Sequence, residues 1–179
     1  MLKNFSKKDF TATNILIIIT ILMYIIQINI SNGGVLFGLN LYFLVYSFWW
    51  QQLTSIFAHG GIAHLGMNMF VLWQFGNLIE RFVGAKKFVA LYLITGLLTS
   101  ILSFAYIYYL DHNVNLVGAS GAICALLGYV AYYDKAQRSG IITWVLLISV
   151  APLIIGLPIA WYAHFIGLAV GFLYAIIRK

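Results

Sequence analysis

A serine and a histidine set in apolar sequence are the residues best suited to chemistry in this chain. Ser120 and His164 each lie near the start of a long apolar stretch. A serine hydroxyl is a weak nucleophile until a neighbouring base removes its proton, and a neutral imidazole is the usual base. If the fold brings these two side chains into contact, they form a nucleophile and a base that can attack a peptide carbonyl.

Two further side chains could stabilise the oxyanion that such an attack creates. His64 and Asn68 are four residues apart, so in a helix they share one face. A developing oxyanion needs preorganised hydrogen-bond donors, and these side chains could serve together with backbone N–H groups near Ser120. Simpler interpretations exist, because Ser often bonds its own helix backbone and Asn often joins helices. The case for a site therefore depends on whether all four residues lie at one depth.

The acidic residues give little support to a catalytic triad, and Asp111 alone stays open as its third member. Asp134 follows Ser120 at a distance of about 21 Å along a helix, and Glu80 lies at the far end of its own apolar stretch. Asp111 lies on the side of the reactive residues but belongs to a short connection with no reason to point at His164. We therefore expect a dyad of serine and histidine.

The residue types argue against metal-dependent and aspartyl chemistry. A metalloprotease helix would carry His-Glu-x-x-His, and no acid lies beside His64 or His164. Aspartyl chemistry needs two carboxylates at one site, and no Asp or Glu falls in the middle of an apolar stretch. A site built from histidine alone is conceivable, but without a carboxylate or thiolate partner we expect no metal. The four histidines are His59, His64, His112 and His164.

The elements that must position these residues are membrane helices. Hydrophobic residues make up 63% of the 179 residues, charged residues make up 8%, and the mean hydropathy is +0.97. A soluble core of this size does not need so much apolar surface, so we expect a lipid bilayer to surround most of the chain. Since about 20 apolar residues cross a bilayer, we predict an all-α, polytopic bundle of six transmembrane helices. The predicted spans are 13–30, 62–79, 88–109, 117–133, 141–157 and 160–177.

The positive charges predict how this bundle is oriented. The ten Lys and Arg fall into four clusters, and six spans place all of them on one side. Because positive loops stay cytoplasmic, we expect both termini in the cytoplasm and the four reactive side chains near the outer face. The net charge of +6 forms no basic stripe, so no nucleic-acid partner is expected. The clusters are Lys3, Lys7 and Lys8; Arg81, Lys86 and Lys87; Lys135 and Arg138; Arg178 and Lys179.

Residues 31–61 are predicted to form an interfacial loop rather than a seventh span. The segment opens with turn-forming residues and then carries many aromatic side chains, which is the composition of a structure in the headgroup region. The same segment could also shape a lateral route into the bundle. Its aromatic residues include Phe37, Tyr42, Phe43, Tyr46, Phe48, Trp49 and Trp50.

Small residues accompany both proposed reactive side chains. One stripe lies on the same side of the sixth span as His164, and another lies beside Ser120 on the fourth. Such stripes let helix backbones approach closely, so they predict that these two spans pack together. The stripes are Gly167, Gly171 and Ala175 on the sixth span, and Gly121, Ala125 and Gly128 on the fourth.

Taken together, these residues resemble the rhomboid family of intramembrane serine proteases. The run Gly118-Ala119-Ser120-Gly121 resembles the family's G-x-S-G motif, and Ala163-His164 with the glycines that follow resembles its catalytic histidine helix. His64 and Asn68 match its oxyanion pair, and the similarity runs in order along nearly the whole chain. Further matching positions are a loop histidine, His59, and the pattern of Gly76, Glu80 and Gly84 at the end of the second span.

The resemblance implies a catalytic dyad of Ser120 and His164, oxyanion donors at His64 and Asn68, and no cofactor or metal. It implies a multi-pass endopeptidase of the bacterial plasma membrane. Its substrates would be single-span membrane proteins whose helices unwind readily, because a protease must act on extended backbone. Two alternatives stay open. One is an inactive rhomboid-like protein that binds membrane helices, and the other is a small transporter or channel.

The resemblance also implies a single domain over 1–179 in the minimal six-helix form typical of bacteria, with a short cytoplasmic N-terminus, 1–12. Two departures from the family pattern raise structural questions. Many relatives have Trp-Arg in the first outer loop, whereas Gln51 follows Trp50 here. Many relatives also have an aromatic residue one turn after the serine, packed on the catalytic histidine, and this chain has Cys124. What holds the loop and what orients His164 must therefore differ.

Overall fold

The computed structural model describes residues 11–110, 113–156 and 159–178, and this part of the chain is all-α. Helices coincide with each of the six predicted apolar stretches, and one isolated bridge joins Leu39 to Leu116. The helices are α1 (Ala12–Asn29), α2 (Gly33–Phe37), α3 (Tyr42–Val45), α4 (Gln51–Thr54), α5 (Ile62–Val71), a π-helical turn (Leu72–Gly76), α6 (Asn77–Val83), α7 (Ala85–Tyr109), α8 (Ser120–Tyr133), α9 (Arg138–Ile154) and α10 (Trp161–Ile177). Residues that entered the predictions but lie outside the described ones are Lys3, Lys7, Lys8, Asp111, His112 and Lys179.

The helix boundaries differ from the predicted spans where glycine interrupts the helix. The second span continues through the π-helical turn to Val83 and ends where Gly84 adopts φ +81°, a left-handed conformation that favours glycine. The fourth span begins at Ser120 rather than at 117, because Gly118 has φ +127° and so cannot be helical. The predicted fifth span, 141–157, is found three residues earlier as α9.

Two helices of the described chain are long and apolar enough to cross a membrane by themselves. They are α1, with 18 residues, and α7, with 25. The helices α8, α9 and α10 are apolar and shorter, with 14, 17 and 17 residues. Large apolar side chains also project from the bundle, and Leu22, Leu147 and Leu173 are each more than half exposed. An extended exposed apolar surface is typical of contact with lipid.

Residues 31–61 form the short helices α2, α3 and α4, none longer than five residues. None of these three helices is long enough to span a bilayer, and the position of the segment in the headgroup region stays a prediction. Its aromatic rings pack against one another, and Phe43 also packs against Phe104 of α7 with ring centroids 4.9 Å apart. These ring contacts fasten the loop to the bundle.

Gln51, which takes the place of the arginine expected from the resemblance, holds this loop. Its side chain is fully buried. Its Nε2 donates to the carbonyl of Val35 at 2.9 Å, and its Oε1 accepts a hydrogen bond from the N–H of Asn40 at 3.4 Å. A neutral amide with one donor group and one acceptor therefore satisfies two backbone groups in the part of the loop that precedes it.

The helix α8 is central, and nine of its 14 residues are buried. It crosses α10 with the two backbones in contact. A Cβ added to Gly171 would overlap the carbonyl of Ala125, and a Cβ added to Gly167 would overlap the carbonyl of Gly121. The predicted packing of the two small-residue stripes is confirmed, and it brings the first turns of α8 and α10 side by side.

At the end of the second span, Glu80 joins α6 to the N-terminus of α1. Its two carboxylate oxygens accept hydrogen bonds from the N–H groups of Ala12 and Thr13 and from the Thr13 hydroxyl, at 2.8 to 2.9 Å. These N–H groups lie in the first turn of α1 and have no partner within that helix. Gly76 lets α1 approach, because a Cβ there would lie 2.8 Å from Thr13 Cγ2.

Candidate active site

The hydroxyl of Ser120 and the imidazole of His164 are in hydrogen-bond contact. Ser120 is the first residue of α8, and His164 lies in the first turn of α10. Ser120 Oγ and His164 Nε2 are 2.9 Å apart. The contact predicted from the sequence is therefore present, and the close backbone approach of α8 and α10 makes it possible.

The second ring nitrogen of His164 contacts a residue that the sequence analysis missed. His164 Nδ1 lies 3.0 Å from the hydroxyl oxygen of Ser149 in the middle of α9. The Ser149 hydroxyl also donates to the carbonyl of Val145 at 2.6 Å, and its side chain is fully buried. A signal was available, because a polar residue in the middle of an apolar span usually faces the protein interior.

His64 packs against the turn that precedes Ser120. A Cβ added to Gly118 would lie 2.9 Å from His64 Nε2 and 3.8 Å from Ser120 Oγ, so both atoms border one small space. His64 Nδ1 accepts a hydrogen bond from the N–H of Gly60 at 3.4 Å, which leaves the proton of the neutral ring on Nε2. An N–H donor therefore lies beside the nucleophile.

Asn68 lies one helical turn after His64, as predicted, and is nearly buried. Its Nδ2 donates to the backbone carbonyl of His64 at 2.9 Å. Among the described residues, no hydrogen bond joins Asn68 to Ser120 or His164. Because an amide NH₂ group has two protons, one remains for another acceptor. The predicted role of Asn68 at the oxyanion stays a prediction.

His59 holds the backbone in front of Ser120. It is fully buried, its Nδ1–H donates to a backbone carbonyl two residues earlier, and its Nε2 accepts from the N–H of Ala119 at 3.5 Å. Gln27 of α1 holds the backbone of His59 through two hydrogen bonds of 2.7 and 2.9 Å. Burial, and secondarily the neighbouring His64, lower the pKa of His59 from 6.5 to about 4. His59 is therefore a neutral, fixed acceptor near pH 7.

A small cavity opens beside the Ser120 hydroxyl, between α7, α8 and the start of α10. The first backbone N–H groups of α8 have no acceptor within that helix, and the helix dipole makes this end electropositive. The cavity therefore offers space for a small group next to the nucleophile, with hydrogen-bond donors at its edge. Residues that line it include Ser55, Gly96, Thr99, Ser100, Gly121 and Ala163.

The described acidic residues serve elsewhere. Glu80 binds the first turn of α1, and Asp134 accepts hydrogen bonds from the N–H groups of Ala136 and Gln137 after the end of α8. Within residues 11–110, 113–156 and 159–178, no three His, Cys, Asp or Glu side chains cluster closely enough to hold a metal ion. In this part of the chain, the hydroxyls of Ser120 and Ser149 are the side-chain groups bonded to the His164 ring.

Comparison with known proteins establishes the family. A model of the Rhomboid domain matches residues 46–179, which is about three quarters of the chain. The chain belongs to the rhomboid family. Rhomboid-family chains are integral membrane proteins, and the helical bundle described above agrees with that class.

Curated rhomboid relatives match parts of the chain. Rhomboid protease GluP of Bacillus subtilis (strain 168) is 41% identical over 90 residues, which cover 50% of this chain and 17% of GluP. RHOMBOID-like protein 4 of Arabidopsis thaliana is 38% identical over 134 residues, which cover 69% of this chain and 32% of the relative. The mitochondrial presenilin-associated rhomboid-like protein of Mus musculus is 36% identical over 91 residues, which cover 51% of this chain and 24% of the relative. The chain thus spans a third or less of the length of these rhomboid relatives.

Proposed function

We propose that this rhomboid chain is a serine endopeptidase that cleaves the transmembrane segments of single-span membrane proteins. The observation that carries the proposal is the 2.9 Å contact between Ser120 Oγ and His164 Nε2. A nucleophile with its base in hydrogen-bond reach is the arrangement that acyl transfer requires. The name of one relative, Rhomboid protease GluP, supports the same reaction class.

In the proposed reaction, Ser120 Oγ attacks the carbonyl carbon of the scissile bond while its proton passes to His164 Nε2. The oxyanion that forms accepts hydrogen bonds from His64 Nε2–H, from Asn68 and from the first backbone N–H groups of α8. The intermediate collapses as His164 gives its proton to the leaving amine. Water, deprotonated by the same imidazole, then releases the acyl group from Ser120.

The proposed setting is a bacterial plasma membrane crossed by six helices of a single domain over 1–179. The positive-inside rule supports a cytoplasmic position for both termini, and in that orientation the starts of α5, α8 and α10 lie near the outer face. Preferred substrates have helix-weakening residues near that face, because only an extended segment exposes its carbonyl to Ser120. The buried residues of α8 beyond Ser120 are apolar or glycine, so no polar path continues along α8 from the site to the other face of the membrane. This favours an enzyme over a channel.

Cleavage of a membrane substrate by the purified protein tests this proposal. The protein in detergent is incubated with a tagged single-span protein that carries a helix-weakening Pro or Gly near its outer end. We expect Ser120→Ala and His164→Ala each to lower the cleavage rate at least about a thousandfold, because they remove nucleophile and base. Ser139→Ala, which changes an exposed serine of α9, should cleave like the original chain.

Covalent labelling provides an independent test. A fluorophosphonate probe should attach to Ser120, and the labelled residue is identified by mass spectrometry of the digested protein. Equal cleavage by the original chain and Ser120→Ala would refute the proposal. Binding of the substrate without cleavage or labelling would favour the alternative of an inactive helix-binding protein.

A further inference from the structure

We propose that Ser149 is a positioning residue that holds the His164 ring in the tautomer needed to accept the proton of Ser120. This inference rests on the proposed protease function. Many relatives have an aromatic residue that packs on the histidine where this chain has Cys124. Ser149 is the group that orients His164 here.

The direction of each hydrogen bond follows from the atoms available. The Val145 carbonyl can only accept, so the single proton of the Ser149 hydroxyl points to it across 2.6 Å. Ser149 Oγ must then be the acceptor in its 3.0 Å contact with His164, and His164 Nδ1 must carry the ring proton. In a neutral imidazole the other nitrogen, Nε2, is then free to accept from Ser120 Oγ–H at 2.9 Å. One chain of hydrogen bonds therefore runs from Ser120 to the backbone of α9.

Because these hydrogen-bonded groups are buried, the donor and acceptor roles in each bond are fixed. Ser149 has no exposed surface, and His164 is 8% exposed. A buried hydroxyl that lost its acceptor or its donor would be left unsatisfied, which disfavours reversal of either bond. When His164 takes the proton of Ser120, its Nδ1–H still points at Ser149 Oγ, so the same contact supports the charged ring.

The residues that could compete for this role are engaged elsewhere. Cys124 is buried, and its Cβ packs beside Gly167 in the contact between α8 and α10. Tyr162, two residues before His164, stacks on Tyr106 of α7 with ring centroids 3.9 Å apart. Ser149 is the group that contacts Nδ1.

Nitrogen NMR of the histidine ring tests the inference without any need for catalysis. The full chain labelled with ¹⁵N-histidine in detergent carries Ser120→Ala, and the His164 signals are identified by their loss in His164→Gln. With Ser149 present, we expect His164 Nδ1 to be protonated and His164 Nε2 to be unprotonated. With Ser149→Ala, or Ser149→Cys if the alanine variant does not fold, we expect the Nε2–H form to become populated. An unchanged tautomer would overturn the inference.

Kinetics supply the second measurement. We expect Ser149→Ala to lower kcat about ten- to a hundredfold with little change in KM, since it removes one hydrogen bond to a ring that becomes charged during the reaction. Ser103→Ala is the matched control, because Ser103 is equally buried on α7 and its hydroxyl bonds no ring. A shifted tautomer with unchanged kcat would overturn the role of Ser149 in catalysis. If no form of the chain cleaves, the proposed function fails, and the NMR result still decides what Ser149 does to His164.

Discussion

Two partly buried polar clusters in this rhomboid chain use hydrogen bonds of similar length for different functions. The dyad cluster joins Ser120, His164 and Ser149 across α8, α10 and α9 at 2.9 and 3.0 Å. The glutamate cluster joins Glu80 to the first turn of α1 at 2.8 to 2.9 Å. The first is built from neutral groups and the second from a carboxylate.

The difference lies in which protons can move. In the glutamate cluster, two of the three donors are backbone N–H groups, which do not release their protons, so the carboxylate only anchors α1. In the dyad cluster, a neutral imidazole accepts from one hydroxyl and donates to another, so one proton transfer gives the ring a positive charge. Hydrogen bonds to a fixed acceptor contribute stability, whereas a chain through an imidazole can carry a reaction.

The largest effect is expected from Gly171→Val, which disrupts the backbone contact between α8 and α10. This contact supports the dyad cluster and not the glutamate cluster. The valine side chain would overlap the backbone of Ala125, and we expect a loss of at least about 3 kcal/mol of stability. The thermal unfolding midpoint in detergent should fall, and cleavage should fall in step with the folded fraction. Gly140→Val is the control, because no atom lies within 4 Å of a Cβ at that helix position. Lost cleavage at an unchanged midpoint would contradict this account.

Asn68→Ala is expected to affect turnover without affecting the fold. It should lower kcat by one to three orders of magnitude, about 1.4 to 4 kcal/mol at the transition state, if the amide contributes to the oxyanion site. The midpoint should change little, since the described bond of Asn68 is to its own helix at His64. Asn29→Ala removes a similar bond to a carbonyl four residues earlier, at an exposed position, and should leave kcat unchanged. Full activity of Asn68→Ala would exclude the oxyanion role.

Glu80→Gln is expected to have the smallest effect, and in contrast to Asn68→Ala it should lower stability and leave turnover unchanged. The glutamine amide keeps one oxygen acceptor and turns an NH₂ group toward the donors of α1, which should cost about 1 to 3 kcal/mol of stability. Activity per folded molecule should stay unchanged, as measured by cleavage normalised to the folded fraction. Asp134→Asn is the control, because its amide oxygen can still accept from Ala136 and Gln137. A lower kcat at normal stability would show that the two clusters are coupled.

The helices and their contact faces could be predicted from the sequence where a local pattern of residues identifies them. Apolar runs marked the six helical stretches, and the stripes containing Gly171 and Gly128 marked the faces on which α8 and α10 meet. Because Ser120 and His164 lie at the same ends of those stripes, their contact followed from the pattern. Helix ends were less accurate, since the conformation of Gly118 and the extension of α6 depend on neighbouring elements.

The sequence did not reveal the partners of Gln51, Gln27 and Ser149. The first two bind backbone groups, which every residue offers, so no residue type marks their partners. Ser149 marks the interior side of α9, but nothing in the sequence indicates that a ring nitrogen of His164 on α10 lies opposite it. A hydrogen bond forms only within a few tenths of an ångström and a limited range of angles.

By itself, then, the sequence determined which parts of the chain are helical, which helices can approach closely, and which side chains could act as nucleophile and base. Only the tertiary structure decided which ring nitrogen of His164 meets Ser120 and which group holds the other. The reason is physical, because burial of apolar surface is non-directional and can be predicted from composition and spacing, whereas the placement of a proton depends on directed contacts between groups far apart in the chain.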